Sequence, residues 1–484
     1  MTTTTTDLAR NTRRFRRLMG AVAIAVPLAM STWLLAGLRG SAEVREFRGS
    51  YPEDAQPRGV VREVTLTAAP AVVPLLDGQP LAVWAYNGQV PGPVLRVRLG
   101  ETLRATLINR LPQPTTIHWH GVRVPNAMDG TPGVTQPPVA PGETFVYEFT
   151  PKDAGTFWFH PHLRASEQVA RGLFGVLVVE EAEPPPYSRD EVWVLDDWLL
   201  DSSGQIFPQF NTRHDLAHDG RWGNVVTVNG TRATTLAVKA GERIRLRLVN
   251  VANGRVFAPD FAGLDARVIA VDGMYAARPL DPAGYELAPG NRLDLDLTIP
   301  ASLRGKRVPI TDHFTGRSIP LAEIAVADEV VETPRFASPA RAHVPDWRGA
   351  VTTPVRAEYR LNARAGGPFG IQWTINDEAF DHDATHAADH APAQVFRAGE
   401  FSKLRFTNES YRLHPMHVHG QFFKLLSRNG KPVDEPHWRD TVLLHAQETV
   451  DVGMVPLDVG RWMLHCHILE HAESGMMTTV EVRR

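Results

Sequence analysis

Three times along this chain a Gly-Glu pair is followed, nine residues after the glycine, by an asparagine: Gly100 and Asn109, Gly241 and Asn250, Gly399 and Asn408. The stretches between alternate apolar with polar or basic residues, as in Leu103-Arg-Ala-Thr-Leu-Ile108 and Ile244-Arg-Leu-Arg-Leu-Val249. That alternation predicts a half-buried strand leaving a turn. A second landmark lies upstream of each: Tyr86-Asn87-Gly88, Val228-Asn229-Gly230 and Ile375-Asn376-Asp377. These turn dipeptides recur at intervals of 142 and 147 residues, so the chain reads as three β units of one design. The Pro-containing joins Glu183–Tyr187 and Thr333–Pro345 place them at 55–185, 188–335 and 345–484. The fold class is all-β, with an N-terminal hydrophobic segment, 1–42, ahead of it.

In that segment Arg10, Arg13, Arg14, Arg16 and Arg17 precede an uncharged run from Leu18 to Leu38. The run is long enough to cross a bilayer, and its basic flank would stay in the cytoplasm. It reads as a Sec or twin-arginine export signal or as an inner-membrane anchor. Either places the body in the periplasm or otherwise outside the cytoplasm. A net charge of −3 with no basic cluster beyond the N-terminus argues against nucleic-acid binding. Cys466 is the only cysteine, which excludes an internal disulfide.

Cys466 sits in His465-Cys466-His467, followed by His471 and Met476. One thiolate, two imidazoles and a weak axial thioether make the donor set of a blue-copper centre. Three more His-x-His pairs occur: His118/His120, His160/His162 and His417/His419. Each of His118 and His417 comes nine residues after its repeat asparagine, whereas the same place in unit two is Pro259. Metal held by units one and three would lie between them, and unit two reads as a structural spacer. On a strand, side chains two apart share a face. Parity therefore groups Cys466 with His414, His471 and Met476, and sets His118, His120, His160, His162, His417, His419, His465 and His467 on the other side. Eight imidazoles suffice for three ions. Two His-x-His pairs alone would equally suit zinc, and a buried lone cysteine is often only a small apolar residue.

His118-Trp-His-Gly, His160-Pro-His, His414-Pro-Met-His-Val-His-Gly and His465-Cys-His-Ile-Leu-Glu-His with Met476 resemble, in order, the four copper motifs of the multicopper oxidases, the laccase and cuprous-oxidase family. The resemblance implies three cupredoxin-like Greek-key β-barrels and four copper ions. It assigns His414, Cys466, His471 and Met476 to type 1 copper, and His118 and His417 to type 2. His120, His160, His162, His419, His465 and His467 fall to the type 3 pair. Members of the family take single electrons at type 1 and reduce dioxygen to water at the trinuclear cluster. The partners expected are dioxygen and a small reducing donor. An organic, phenolic donor is the first expectation. A Cu(I) oxidase of copper tolerance and a non-catalytic copper-binding protein are the alternatives.

Dioxygen reduction consumes four protons, so a buried cluster needs an acid route. Asp129, nine residues past His120, matches a family carboxylate near the cluster, although Asp129-Gly130 is also a turn signal. Many bacterial members carry a carboxylate directly after the second type 1 histidine. Here that residue is Ala472, with Glu473 beside it as the substitute. The approach to His414, Ser410-Tyr-Arg-Leu413, lacks the methionine and carboxylate of the cuprous oxidases, and no Met-rich segment exists. An insertion carries His382, His386 and His390 four apart, either an accessory metal-capture site or a solvated loop. Trp438-Arg-Asp-Thr441 resembles a family segment near the type 1 rim, with a structural role only.

Overall fold

The structure, a computed structural model, describes residues 57–484 apart from 77, 233, 342–343 and 383–390. The export or anchor segment Leu18–Leu38, and His386 and His390, lie outside the described residues. Among these, no helix is long and apolar enough to cross a membrane.

Among the described residues the strands form six sheets in three pairs, each pair drawn from one stretch of chain. The first unit joins a four-stranded sheet, whose centre is Val61–Leu75 beside Thr102–Asn109, to another built from Val94–Arg98, Gly175–Glu180, Gly155–His160 and His118–His120. The second pairs a six-stranded with a four-stranded sheet between Arg189 and Val330, and the third a six- with a five-stranded sheet between Ala357 and Arg483. Among the described residues the α-helices are few and short: Ala165–Ala170, Arg213–Ala217 and Leu469–Glu473. The mostly-β expectation holds, and its cause is visible in the repeat.

Each Gly-Glu landmark is a turn with the glycine at positive φ (90°, 92° and 79°), a conformation costly for a residue with a Cβ. The strand that follows pairs parallel to the first strand of its unit and antiparallel to a later one. In Thr102–Asn109 burial alternates strictly along the strand, as the sequence pattern requires. The repeat asparagines explain themselves. Asn109 Nδ2 donates to the carbonyls of Gln113 and Val139 while its Oδ1 accepts from Leu111 N. Asn250 makes the same three bonds with Arg255, Leu287 and Ala252, and Asn408 with Arg412, His445 and Ser410. The upstream asparagines, Asn87, Asn229 and Asn376, all adopt positive φ and each ties two backbone groups of its unit's first strand. Asparagine tolerates that conformation better than most residues and supplies both a donor and an acceptor.

Each unit has its own apolar core, around Trp119 and Phe159 in the first, Leu246 and Phe257 in the second, and Phe406 and Trp462 in the third. A further cluster crosses units: Trp158 and Val176 pack with Val194, Trp198 and Val249 of the second unit and Leu469 of the third. This seam holds the units in register at the histidines.

Candidate metal centres

Strand pairing sets the histidines face to face. His118–His120 lies antiparallel to Gly155–His160, with His118 opposite His160. Trp119, pointing the other way, is buried against Tyr147, Phe149 and Phe159. In the third unit His414–Val418 pairs with Gly460–Cys466, so that Met416 opposes Cys466 and His417 opposes His465. Alternation thus sends Cys466 into the barrel core and His465 to the interface, as parity requires.

Across that interface His118 stacks on His419 and His120 on His417, each with ring centroids 3.8 Å apart. Three sets of ring nitrogens converge within 4.8 Å: His120, His160 and His467; His162, His419 and His465; and His118, His120 and His417. All eight histidines of the sequence-derived set are therefore in one pocket built by two units. The outer nitrogens of several are tied back. His118 Nδ1 donates to the Asp129 carbonyl (2.8 Å), His160 Nδ1 to Pro161 O (2.9 Å), His417 Nδ1 to Asp440 O (3.0 Å) and His465 Nδ1 to Cys466 O (2.8 Å). The inward Nε2 atoms of His118, His160 and His417, and both nitrogens of His467, have no hydrogen-bond partner among the described residues. Buried polar atoms are normally satisfied. Orphaned nitrogens gathered in sets of three suit a metal, so these residues fit the copper that the donor set implies. Burial holds His120, His160, His162, His419 and His467 well below the ordinary imidazole range, and takes His465 to about 3. They are neutral ligands at physiological pH.

The second centre lies in the third unit. Cys466 Sγ is 3.6 Å from His414 Nδ1 and 3.8 Å from His471 Nδ1, and the two nitrogens are 3.2 Å apart. Here Nδ1 faces inward, while Nε2 of His414 meets Ser410 Oγ at 2.8 Å and Nε2 of His471 donates to the His218 carbonyl at 2.8 Å. Burial pushes the Cys466 thiol far up, so its thiolate needs a cation beside it. Met476 is fully buried in the same core, and its carbonyl accepts from Cys466 N. Trp373 roofs both imidazoles, its ring 5.0 Å from His414 and 4.2 Å from His471.

Asp129 ends the turn of 3-10 helix Asn126–Met128 and is buried. Besides its carbonyl contact to His118, its Oδ2 lies 2.9 Å from His419 Nδ1 and accepts from Thr131 Oγ1. Glu473, at the end of the helix Leu469–Glu473, lines a narrow cleft with His160, His162, His465 and Ala472. Burial raises its pKa to about 7. His382 lines the same cleft, its Nε2 3.2 Å from the Ala472 carbonyl.

Two expectations need correction. The segment Trp438–Thr441 serves the eight-histidine pocket, not the type 1 rim. Asp440 takes His417 Nδ1 on its carbonyl, and its Oδ1 is 3.4 Å from His120 Nε2. Arg292 of the second unit, fully buried, grips that carboxylate at 3.0 and 2.6 Å. Burial works to raise the Asp440 pKa, but Arg292 and the bond to His417 outweigh it and hold the group ionised. Nor is the second unit merely a spacer. It contributes no member of the clustered sets, yet it supplies Arg292, the His218 carbonyl and Gly290. A Cβ on Gly290 would sit 2.9 Å from His120 Cε1 and 3.0 Å from His467 Cδ2. A backbone carbonyl carries no side-chain signal, and an Arg–Asp pair 148 residues apart carries none without the fold.

Comparison with known proteins agrees with this geometry. Multicopper oxidase domain models match residues 68–184, 189–304 and 353–484. The multicopper oxidase MmcO of Mycobacterium tuberculosis is 28% identical over 473 residues, covering 89% of each chain. The crystal structure of a multi-copper oxidase from Pseudomonas thermotolerans aligns with TM-score 0.78 and 35% identity, over 88% of this chain and all of that one. A multicopper oxidase from Campylobacter jejuni described as a metallo-oxidase aligns with TM-score 0.72 and 25% identity, over 90% of this chain and 97% of that one.

Proposed function

This chain belongs to the multicopper oxidase family, whose members are oxidoreductases, and on that premise we propose that it is an exported oxidase. It takes single electrons from a small donor and passes them to dioxygen. His414, Cys466, His471 and Met476 would hold type 1 copper, His118 and His417 type 2, and the other six histidines the type 3 pair. Copper, when bound, supplies the one-electron redox chemistry and the centre at which dioxygen becomes water. The carrying observation is the tripeptide His465-Cys466-His467. It joins the thiolate pocket to two of the three histidine sets through a few covalent bonds.

The chain's own groups supply positioning and protons. Asp129 fixes the orientation of His118 and His419, and Asp440 that of His417, each through the ring nitrogen facing away from the pocket. Glu473 stands in the cleft reaching His162 and His465, placed to hold a proton beside the histidines. Asp129 is the second acid candidate, since its Oδ2 already engages His419 and Thr131. For the donor, the rim of the thiolate pocket is aromatic and apolar. Tyr411 is 81% exposed three residues before His414, Leu413 and Phe314 pack against the same buried cluster of Val256, Ala288 and Leu443, and the Phe314 ring lies 6.2 Å from that of Trp222. That surface favours a phenolic donor.

The test is oxygen uptake by copper-loaded full-length protein offered a phenol and Cu(I) in parallel. Uptake with the phenol, at four electrons per dioxygen, is the expected result. Fully loaded protein that consumes no oxygen with either donor would refute the oxidase reading.

A further inference from the structure

We infer that electrons enter the thiolate pocket across the His218 peptide, from donors that touch neither imidazole, so that small donors with and without an O–H or N–H proton are accepted alike. The inference names the donor class for the oxidase reading above and rests on that reading.

It starts from what the pocket shows to solvent, which is nothing. His414, Cys466, His471 and Met476 are each 0% exposed. An imidazole that offers Nδ1 inward as a lone pair carries its proton on Nε2. That N–H is the polar edge through which either ring could meet a donor, and on both rings it is occupied. His414 Nε2 donates to Ser410 Oγ at 2.8 Å. Ser410 Oγ in turn donates to Asn408 Oδ1 (2.8 Å) and accepts from Arg412 N (3.1 Å). A hydroxyl has one proton and two lone pairs, so this one is full. His471 Nε2 donates to the His218 carbonyl at 2.8 Å.

The segment that carries this carbonyl is fastened on both sides of it. Trp373 Nε1 donates to Leu216 O (2.9 Å), Leu413 N to Asp219 Oδ1 (2.8 Å) and Arg221 N to Glu470 Oε2 (3.1 Å). Trp222 Nε1 closes the turn on Asp219 O (2.8 Å). Thr212 caps the short helix Arg213–Ala217 ahead of it, its Oγ1 accepting from Asp215 N. A donor would have to break several of these bonds together to bare His471. Yet His218 is an exposed residue, so a single hydrogen bond links the buried ring to backbone at the surface. The way out through Ser410 is longer, because Oγ and Cβ intervene before the backbone is reached.

Single-electron transfer across this cap needs no bond between donor and ring. Each donor loses one electron, and four electrons with four protons reduce one dioxygen to two waters. A proton on the donor leaves to solvent, since both Nε2 atoms already carry one. A site built to hydrogen-bond a substrate O–H or N–H rejects the analogue lacking it by about 10⁴–10⁵-fold, whereas an apolar contact discriminates weakly. The capped pocket is of the second kind.

The donor class is tested in copper-loaded full-length protein by stopped-flow bleaching of the blue band without dioxygen. The donors are p-phenylenediamine and its N,N,N′,N′-tetramethyl derivative, which has no N–H. Corrected for their potentials, the two rates should agree within about tenfold. A larger deficit for the tetramethyl donor would overturn the inference. The cap is read separately by electron–nuclear double resonance of the type 1 signal after transfer to D2O. The exchangeable ring-proton couplings of both histidines should persist long after exposed histidine protons have exchanged. Immediate loss of the His471 proton would show an open edge and overturn the inference as well. Neither measurement uses dioxygen. Absence of oxygen uptake would therefore refute the oxidase reading, while these two results would still decide the cap.

Discussion

The two histidine pockets are built in opposite ways. The thiolate pocket turns Nδ1 inward and backs Nε2 with neutral groups, the Ser410 hydroxyl and the His218 carbonyl. The eight-histidine pocket leaves Nε2 of His118, His160 and His417 inward and backs Nδ1 of His419 with the Asp129 carboxylate. Asp440 stands beside His417 and His120 in the same role. The difference follows from charge. A thiolate already contributes negative charge to one ion. Imidazoles contribute none as neutral ligands, so a pocket proposed to hold several cations needs carboxylates just outside it. The thiolate pocket also takes its three clustered donors from one unit, whereas the other exists only when two units dock.

This contrast can be broken, beginning with the largest effect. Cys466→Ser should abolish the blue absorption and lower oxygen uptake by at least about a thousandfold, because a hydroxyl does not replace the thiolate. Circular dichroism should show the fold intact. Asp129→Asn should cut turnover by about 10–100-fold while leaving the blue band in place, the usual cost of losing a group that orients a metal ligand. If the blue band moved as much as turnover did, the two pockets would not be separable as described. Arg292 Nη1 also lies 3.7 Å from the buried Asp272, so Arg292→Met leaves Asp440 and Asp272 buried without their cation, and chemical denaturation should show a loss of about 3–5 kcal/mol. Burial and the Asp440 charge already raise Asp272 to about 6.

The smallest effect concerns Glu473 and its dependence on pH. Burial raises its pKa in the folded chain to about 7, above the unfolded value. The folded state therefore binds the extra proton, a contribution present below pH about 4.5 and lost as pH rises through about 7. Glu473→Gln removes that loss. The Tm of the metal-free variant relative to wild type should climb between those values and stay level above them. A Tm difference independent of pH would place Glu473 in ordinary solvent and remove it from the cleft.

Much of this was readable from the chain. The repeat asparagines announced three units because each satisfies the same three backbone groups, a task few other side chains can do. Parity alone separated Cys466 from His465 and His467, since strand geometry leaves no alternative. The resemblance supplied Asp129 and Glu473 as candidates. Their placement against His419 and in the His162 cleft came from the structure. Trp438–Thr441 was noticed but put at the wrong centre, because linear sequence gives no distance between Asp440 and His120.

The sequence by itself determined which residues can be ligands and which face each must take, because those depend on side-chain chemistry and the two-residue period of a strand. Only the tertiary structure decided which histidines share an ion-sized space and what backs them. Those choices rest on the docking of the first unit against the third and on the second unit's Arg292, Gly290 and His218 carbonyl. Such groups act through position, and position is a property of the packed chain.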